Sequence, residues 1–335
     1  MRVSTVRSFL SGTVLGVAML CIGREALAVE PVNPDLSPEA RAVLNYLHEQ
    51  SGKKVLAAQH GDTKEYEYVH ETTGKYAAIW GTDLIFEYRN DKRMDDVIGW
   101  WKKGIIPSTM WHWGAPSVGE GYENSKGKID VNQCFIEGTP EHKAMWADLK
   151  RIADHLTKLR DANVPVIWRP MHECSGGWFW YDKSGGEAFQ KLWRTTYDYF
   201  TKERKLNNLI WVLCYDGSPG KDYDPGAQYY DIVAADTYDR RTDPHMSMYK
   251  ATQAVSVPGK LVAFHECGIP PDTEQCVKEG ANWSWFMNWD QHVFRVDKAY
   301  LTKVYNSDAT ITLDELPKWE ERVAKEKAAK PAQPK

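Results

Sequence analysis

The strongest constraint on this chain is a rhythm. Eight short apolar runs, at residues 54–60, 77–85, 105–112, 164–168, 208–215, 231–238, 261–266 and 283–288, are separated by stretches with helical patterning. A near-continuous apolar run reads as a parallel strand sealed on both faces, because a strand with one wet face would alternate apolar and polar residues. Between the third and fourth runs, Thr139 and Pro140 cap and open a helix whose Met145, Leu149, Ile152, Leu156 and Leu159 fall on one face at helical period. Phe189, Leu192, Trp193 and Phe200 do the same after the fourth run. Strands alternating with amphipathic helices imply a parallel sheet with right-handed crossovers, and eight of them predict closure into an α/β fold of the (β/α)8 TIM-barrel type. The competing architecture is an open doubly wound sheet, but no G-x-G-x-x-G turn or phosphate loop follows the first run.

Ahead of the first run, Ser37 and Pro38 start a helix carrying Val43, Leu44 and Leu47 on one side, placed to close the bottom of the fold. The first 28 residues have the layout of an export signal: Arg2 and Arg7, an apolar stretch over 9–22, and a small-x-small site at Ala26 to Ala28. Cleavage is expected after Ala28, which makes the mature protein secreted or periplasmic. Cys21 is a poor lipid-attachment position, since Leu20 before it is bulkier than such sites accept. No later run reaches the ~20 apolar residues that span a bilayer. Export permits disulfides, and the mature chain keeps Cys134, Cys174, Cys214, Cys267 and Cys276, an odd number. Cys267 has two candidate partners, Cys276 across a short loop and Cys174 across a cavity, and spacing does not choose between them. Residues 119–138, rich in Gly, Asn and Lys and without period, read as a long loop walling a groove after the third strand. From about Val323 the sequence turns Lys-, Ala- and Pro-rich, which predicts a disordered tail over 323–335 and leaves 29–322 as one domain.

A formal charge of -4 without a basic cluster argues against nucleic acid as a partner. Fifteen Trp and seventeen Tyr are more than one core needs. The fourth apolar run leads into Arg169, His172 and Glu173, then breaks on Gly176 and Gly177 before Trp178, Phe179, Trp180 and Tyr181. The seventh run ends likewise, in His265, Glu266, Cys267 and Gly268. A lone strand-end Glu is usually a solvated charge, but a closed barrel brings the ends of strands four and seven to one face, where barrels keep their chemistry. Two carboxyl groups ~5–5.5 Å apart suit retaining glycoside hydrolysis, one protonating the leaving oxygen while the other attacks the anomeric carbon. Glu173 and Glu266 are the candidate pair. Trp113, Trp178, Trp180 and Trp285 lie at strand ends, where stacking on sugar faces is plausible, whereas Trp80, Trp146, Trp193 and Trp211 read as core. No C-x-x-C or H-E-x-x-H spacing supports a metal site, no cofactor is called for, and no G-x-S-x-G elbow supports a Ser-His-Asp hydrolase.

The string from Trp168 to Glu173 (W-R-P-M-H-E), followed by Gly177, Trp178, Phe179 and Trp180 and joined by Glu266 on the seventh strand, resembles glycoside hydrolase family 26. The likeness runs over about residues 54–289 and its motifs are specific. It implies a (β/α)8 catalytic domain with the acid/base, Glu173, on strand four and the nucleophile, Glu266, on strand seven. By the same resemblance His112 contacts substrate, Trp178 stands beside the acid/base, Tyr238 lies near the nucleophile and Trp285 forms a platform under the sugar. His172 takes the place of an Asn common in the wider clan. Trp113 and Phe179 are expected to help form the substrate site, and Arg169 to hold the carboxylates. Two departures bear on subsite preference: Cys174 and Ser175 where many members have a bulkier residue and Asn, and Tyr181 and Asp182 where Trp-Gly is common.

These readings imply an exported retaining endo-β-1,4-mannanase acting on mannan, galactomannan or glucomannan, with a β-mannan polysaccharide or oligosaccharide as its partner. A β-1,3-1,4-glucanase or β-1,3-xylanase of the same family, or a non-catalytic carbohydrate-binding barrel, is the alternative. The acid role requires Glu173 to stay protonated near neutral pH, which enclosure by aromatic rings and a second carboxylate favours.

Overall fold

The computed structural model describes Met1 and residues 30–85 and 87–329. The expected export segment beyond Met1 lies outside the described residues. Eight parallel strands close into a barrel: β1 (Val55–His60), β2 (Ile79–Asp83), β3 (Ile106–Met110), β4 (Val166–Arg169), β5 (Leu209–Tyr215), β6 (Ile232–Thr237), β7 (Leu261–Cys267) and β8 (Trp283–Asn288). Each pairs with its neighbours in chain order, and β1 pairs with both β2 and β8. This is the (β/α)8 architecture that the eight apolar runs predict, with strands a residue or more shorter than most of the runs. The excess at the carboxyl ends is informative: Trp111 to Trp113 follow β3, and His172 and Glu173 follow β4.

Two apolar layers hold the barrel. Inside it, Leu56, Ile79, Ile106, Ile167, Ile210, Ile232, Ala263 and Trp285 meet in one buried cluster. Outside it, Val55, Val166, Trp168, Trp211, Val233, Phe264 and Trp283 pack against the surrounding helices. Alternation of side chains along each strand produces this division, and burial of both faces explains why the strands read as continuous apolar runs. The helix Pro140–Asp161 buries Met145, Leu149, Ile152, Leu156 and Leu159, the face its spacing predicts, and Thr139 caps it by accepting from the His142 amide at 3.1 Å. The helix Pro38–Gln50 is capped by Ser37 and closes the bottom of the barrel, its Val43, Leu44 and Leu47 joining the interior cluster.

Register is interrupted along β7, on the β8 side from Val262 onward and on the β6 side at the carboxyl face. Along the β6–β7 pairing, Ala235 faces Phe264 but Asp236 faces Glu266, so His265 is an extra residue, a bulge. A bulge re-aims the side chains after it. Here His265 is buried against the interior, its ring edge-on to Trp285 at 5.1 Å, while Glu266, the next residue, lines the cavity above.

Two expectations are corrected, and the cysteine pairing that the sequence left open is read from the fold. The C-terminal segment is helical over Trp319–Ala329 rather than disordered from Val323. Composition underrated it because two aromatic rings and several ion pairs do the anchoring: Trp319 meets Tyr46 edge-on at 5.6 Å, its indole donates to the Gly104 carbonyl at 2.8 Å, and Arg322 and Lys327 pair with Glu49 and Glu39. Residues 330–335 lie outside the described residues. The 119–138 stretch is not wholly irregular, holding a short helix at Tyr122–Ser125 and a 3-10 turn at Val131–Phe135 that buries Val131 and Cys134. Finally, all five described cysteines are free and buried. Instead of bonding each other, the Cys214 thiol lies 3.2 Å from an Asp236 oxygen and the Cys267 thiol 3.3 Å from the Met287 carbonyl.

The anchoring of the last helix can be measured. Trp319→Ala should lower stability by about 3 kcal/mol, the range for truncating a buried aromatic, in reversible urea denaturation of the full chain; a loss below about 1 kcal/mol would show that the helix merely rests on the surface.

Candidate active site

A cavity of about 530 Å³ opens at the carboxyl ends of the strands. Its floor is set by Arg169, the last residue of β4, which is fully buried. The guanidinium spans two carboxylates, donating to Asp236 of β6 at 2.6 Å and to Glu266 of β7. An Arg fork fixes carboxylate orientation as well as charge, since its N–H groups are held in one plane. The second oxygen of Glu266 accepts from the Tyr238 hydroxyl at 2.5 Å. Burial, then the Glu266 charge, push the Tyr238 phenol far above its ordinary value, so it remains a donor. Glu266 is thus buried with both oxygens hydrogen-bonded and a cation beside it, contacts that fix the direction of its carboxylate.

Glu173 is in the opposite situation. Its backbone has φ 51°, in the left-handed region that a non-glycine residue seldom occupies, and this turn carries its side chain from the end of β4 over the cavity. Its carboxyl accepts one bond, from the Trp178 indole N–H at 2.8 Å. Burial, and next the Glu266 charge, raise its pKa to about 8 against the opposing pull of Trp178 and Arg169. Two carboxyl groups at one site therefore sit in unlike surroundings, and those of Glu173 favour its protonated form. Glu173, Asp236 and Glu266 have oxygens within 4.8 Å of one another, the one cluster with metal-ligand spacing among the described residues, and Arg169 already supplies it with positive charge.

The other expected residues fall into two groups. His112, His172, Phe179 and Tyr238 line the cavity with the two glutamates. His112 is bound through Nδ1 to Asp83, the last residue of β2, which also accepts the His112 amide at 3.0 Å, so the far ring nitrogen is the one left for other contacts. Burial, then the charge of His112, hold His172 well below its ordinary pKa, and Tyr181 donates to the His172 carbonyl at 2.8 Å. Trp178 stands at the rim, partly exposed.

Trp113 and Trp285 do not reach the cavity. Trp113 is buried, its ring stacked on Trp111 at 4.4 Å and its indole donating to Asp148. Trp180 is likewise buried, donating to the Trp113 carbonyl. Trp285 points into the barrel interior below the site. The tryptophan that lines the cavity from this side is Trp289, one step past the end of β8, stacked on His60 at a centroid distance of 3.9 Å. Trp285, Met287 and Trp289 alternate along the same face, so only the last rises above the barrel, which a register count along β8 could have found. His60, Asp83 and Asp236 were also missed, although each is a polar residue at or near the carboxyl end of an apolar run.

A closed parallel barrel presenting two adjacent carboxyl groups at its carboxyl face, one buried and fully bonded and the other kept protonated, has the architecture of the barrel glycoside hydrolases. Comparison with known proteins makes this specific. The profile of Glycosyl hydrolase family 26 matches residues 32–315, and the chain belongs to that family. It is 32% identical to a mannan endo-1,4-beta-mannosidase of Thermothelomyces thermophilus over 86% of this chain and 64% of the relative. It is 30% identical to mannan endo-1,4-beta-mannosidase B of a Piromyces species over 85% of this chain and 53% of that one. The chain thus spans about half to two thirds of the length of these curated relatives. Among solved structures, the beta-mannanase from a symbiotic protist of the termite Reticulitermes speratus, complexed with gluco-manno-oligosaccharide, superimposes with a TM-score of 0.77 at 33% identity, covering 86% of this chain and 97% of that one.

The environment of Glu173 predicts a stability effect with a definite sign. A carboxyl whose pKa is raised in the fold keeps its proton where the unfolded chain has lost it, so the native state loses stability as pH climbs from about 4.5 to about 8. Glu173→Gln removes that dependence. Thermal unfolding should find the variant more stable than the parent at pH 8, with a smaller margin at pH 5; an equal margin at both would refute the raised pKa.

Proposed function

We propose that this chain is an exported endo-β-1,4-mannanase that works with retention, cutting internal β-1,4-mannosidic bonds of mannan, galactomannan or glucomannan. The observation that carries this reading is the pairing of Glu173 with Glu266 across less than 5 Å, the first with its pKa raised and the second held by Arg169 and Tyr238. A separation this short leaves no room for a water between carboxylate and sugar, which inversion would require. In the first step the Glu266 carboxylate attacks the anomeric carbon and the C–O bond to the departing chain breaks as Glu173 gives that oxygen its proton. Forming the ester removes the charge of Glu266, and with it the largest of the charges that raise the Glu173 pKa. Glu173, now ionised, takes a proton from water, whose oxygen attacks the anomeric carbon and displaces Glu266. The product keeps the β configuration. Tyr238 and Arg169, bound to the two Glu266 oxygens, follow the carboxylate as its charge disappears and returns.

Mannan as the substrate is supported by the names of the relatives, which are endo-1,4-β-mannosidases, and by the gluco-manno-oligosaccharide held by one solved neighbour. The N-terminal segment, with its small-x-small site ending at Ala28, supports export, and among the described residues no helix is long and apolar enough to cross a membrane.

Proton resonance of a mannopentaose digest, recorded as it proceeds, should show the β-anomer of the new reducing end first; the α-anomer first would rule out retention. Glu173→Ala should cut galactomannan hydrolysis by ~10²–10⁴-fold, the usual worth of a positioned proton donor, and Glu266→Ala should abolish it. An enzyme that cleaves barley glucan but not galactomannan would overturn the choice of substrate, and a mature N-terminus other than Val29 would overturn the cleavage site.

A further inference from the structure

We propose that Asp182 is a positioning residue for the acid/base carboxyl: its side chain latches the Gly176–Gly177 turn, and through that turn fixes the Trp178 indole that donates to Glu173. The proposal rests on Glu173 being the acid/base. Asp182 and its neighbour Tyr181 stand at one of the two places where this chain departs from the pattern it otherwise resembles.

The path is continuous. Asp182 accepts the Gly177 amide at 2.7 Å. Gly177 has φ 77°, a conformation a side chain would strain, so the amide direction depends on glycine there. A Cβ on Gly176 would lie 2.3 Å from the Trp178 ring, so the indole packs directly on the turn's backbone. From that seat its N–H reaches Glu173 at 2.8 Å. Asp182 itself is held by backbone: its amide bonds to the Phe179 carbonyl, and its own carbonyl accepts from the Gly185 amide and the Tyr223 hydroxyl. On the opposite flank Ser175, the other departure, donates to Asp216 at 2.7 Å, and the Cys174 amide ties the loop to the Cys214 carbonyl of β5.

Asp182 is a costly way to close a turn. It is 2% exposed, its second oxygen has no hydrogen-bond partner among the described residues, and no salt bridge is formed to it there. A buried carboxylate without an ion pair destabilises a fold, and here the Gly177 amide and the Lys183 charge offset that cost while Asp216 adds to it. Accepting a backbone N–H with a charged oxygen makes a bond about twice as strong as a neutral one. Burial raises its pKa to about 7, so the latch is tight above that pH and loosens below it.

Because the indole donor favours the charged form of Glu173, slackening it raises the Glu173 pKa. The other groups facing Glu173 are Glu266 on β7, Asp236 on β6, Arg169 on β4 and Asp216 after β5, and of these Asp216 also faces Asp182. The basic limb of kcat/KM reports the free enzyme's acid. Trp178→Phe should move that limb upward by roughly half to one pH unit. Asp182→Ala should move it as far, the double variant no further than either, and Asp182→Asn, which keeps an oxygen acceptor but not its charge, should move it less than Asp182→Ala. An unmoved limb in Asp182→Ala, or shifts that add in the double variant, overturns the proposal. Should Asp182→Ala fail to fold, 15N-tryptophan labelling of the parent decides: the Trp178 indole signal should titrate in two steps, one of them lost in Asp182→Asn, and a signal that follows Glu173 alone overturns the latch. Hydrolysis of an aryl β-mannobioside by Glu173→Ala separates this from the acid/base assignment, since a basic limb that survives there rejects Glu173 as the acid and leaves the latch untouched.

Discussion

The site depends first on one buried cation. Arg169 lies beneath two carboxylates that arrive from different strands, Asp236 on β6 and Glu266 on β7, and bonds to both. Removing such a charge from water costs several kcal/mol unless its partners are well placed, and taking away one member strands the others. The arrangement is therefore close to all-or-none: β4, β6 and β7 must be in register together before Arg169 can be buried at all. What it secures is a fixed Glu266, beside which the neighbouring Glu173 is left protonated by burial and like charge.

Local irregularities then put chemistry on a regular scaffold. The bulge at His265 lets two successive residues serve different layers, His265 the barrel interior and Glu266 the cavity. The left-handed Glu173 and the glycine turn after it fold the β4 loop back so that an indole meets the carboxyl it follows in sequence. Strain of this kind persists where surrounding packing enforces it. Here Trp180 and Tyr181 supply that packing, each buried and hydrogen-bonded to backbone.

Aromatic richness divides between these two uses. Of the tryptophans that follow strands, Trp113 and Trp180 brace the loops, while Trp178 and Trp289 face the site, and the division follows where each indole N–H finds a partner. The buried Trp113 and Trp180 indoles are tied to a carboxylate and a carbonyl oxygen of neighbouring segments, as a polar group removed from water favours.

By itself the sequence determined the architecture and the pair. Apolar runs of period-free character and helices with one apolar face admit a closed parallel barrel, and in such a barrel Glu173 and Glu266 must share a face, whatever the loops do. The helical face of 140–161, the cap at Thr139 and the plug built from Val43, Leu44 and Leu47 were legible for the same reason, that each is a local pattern. Tertiary structure decided what depends on counting across strands or on contacts far apart in the chain. Trp289 rather than Trp285 lines the cavity because register along β8 chooses which residue clears the barrel rim. Asp83 holds His112, and Asp236 shares Arg169, through bonds between strand ends that no spacing reveals. The last helix folds because Tyr46 and Gly104 receive Trp319, and the cysteines stay apart because each thiol is buried in a setting of its own. Composition and period report how a segment meets its immediate environment; which distant group completes that environment is fixed only when the chain closes.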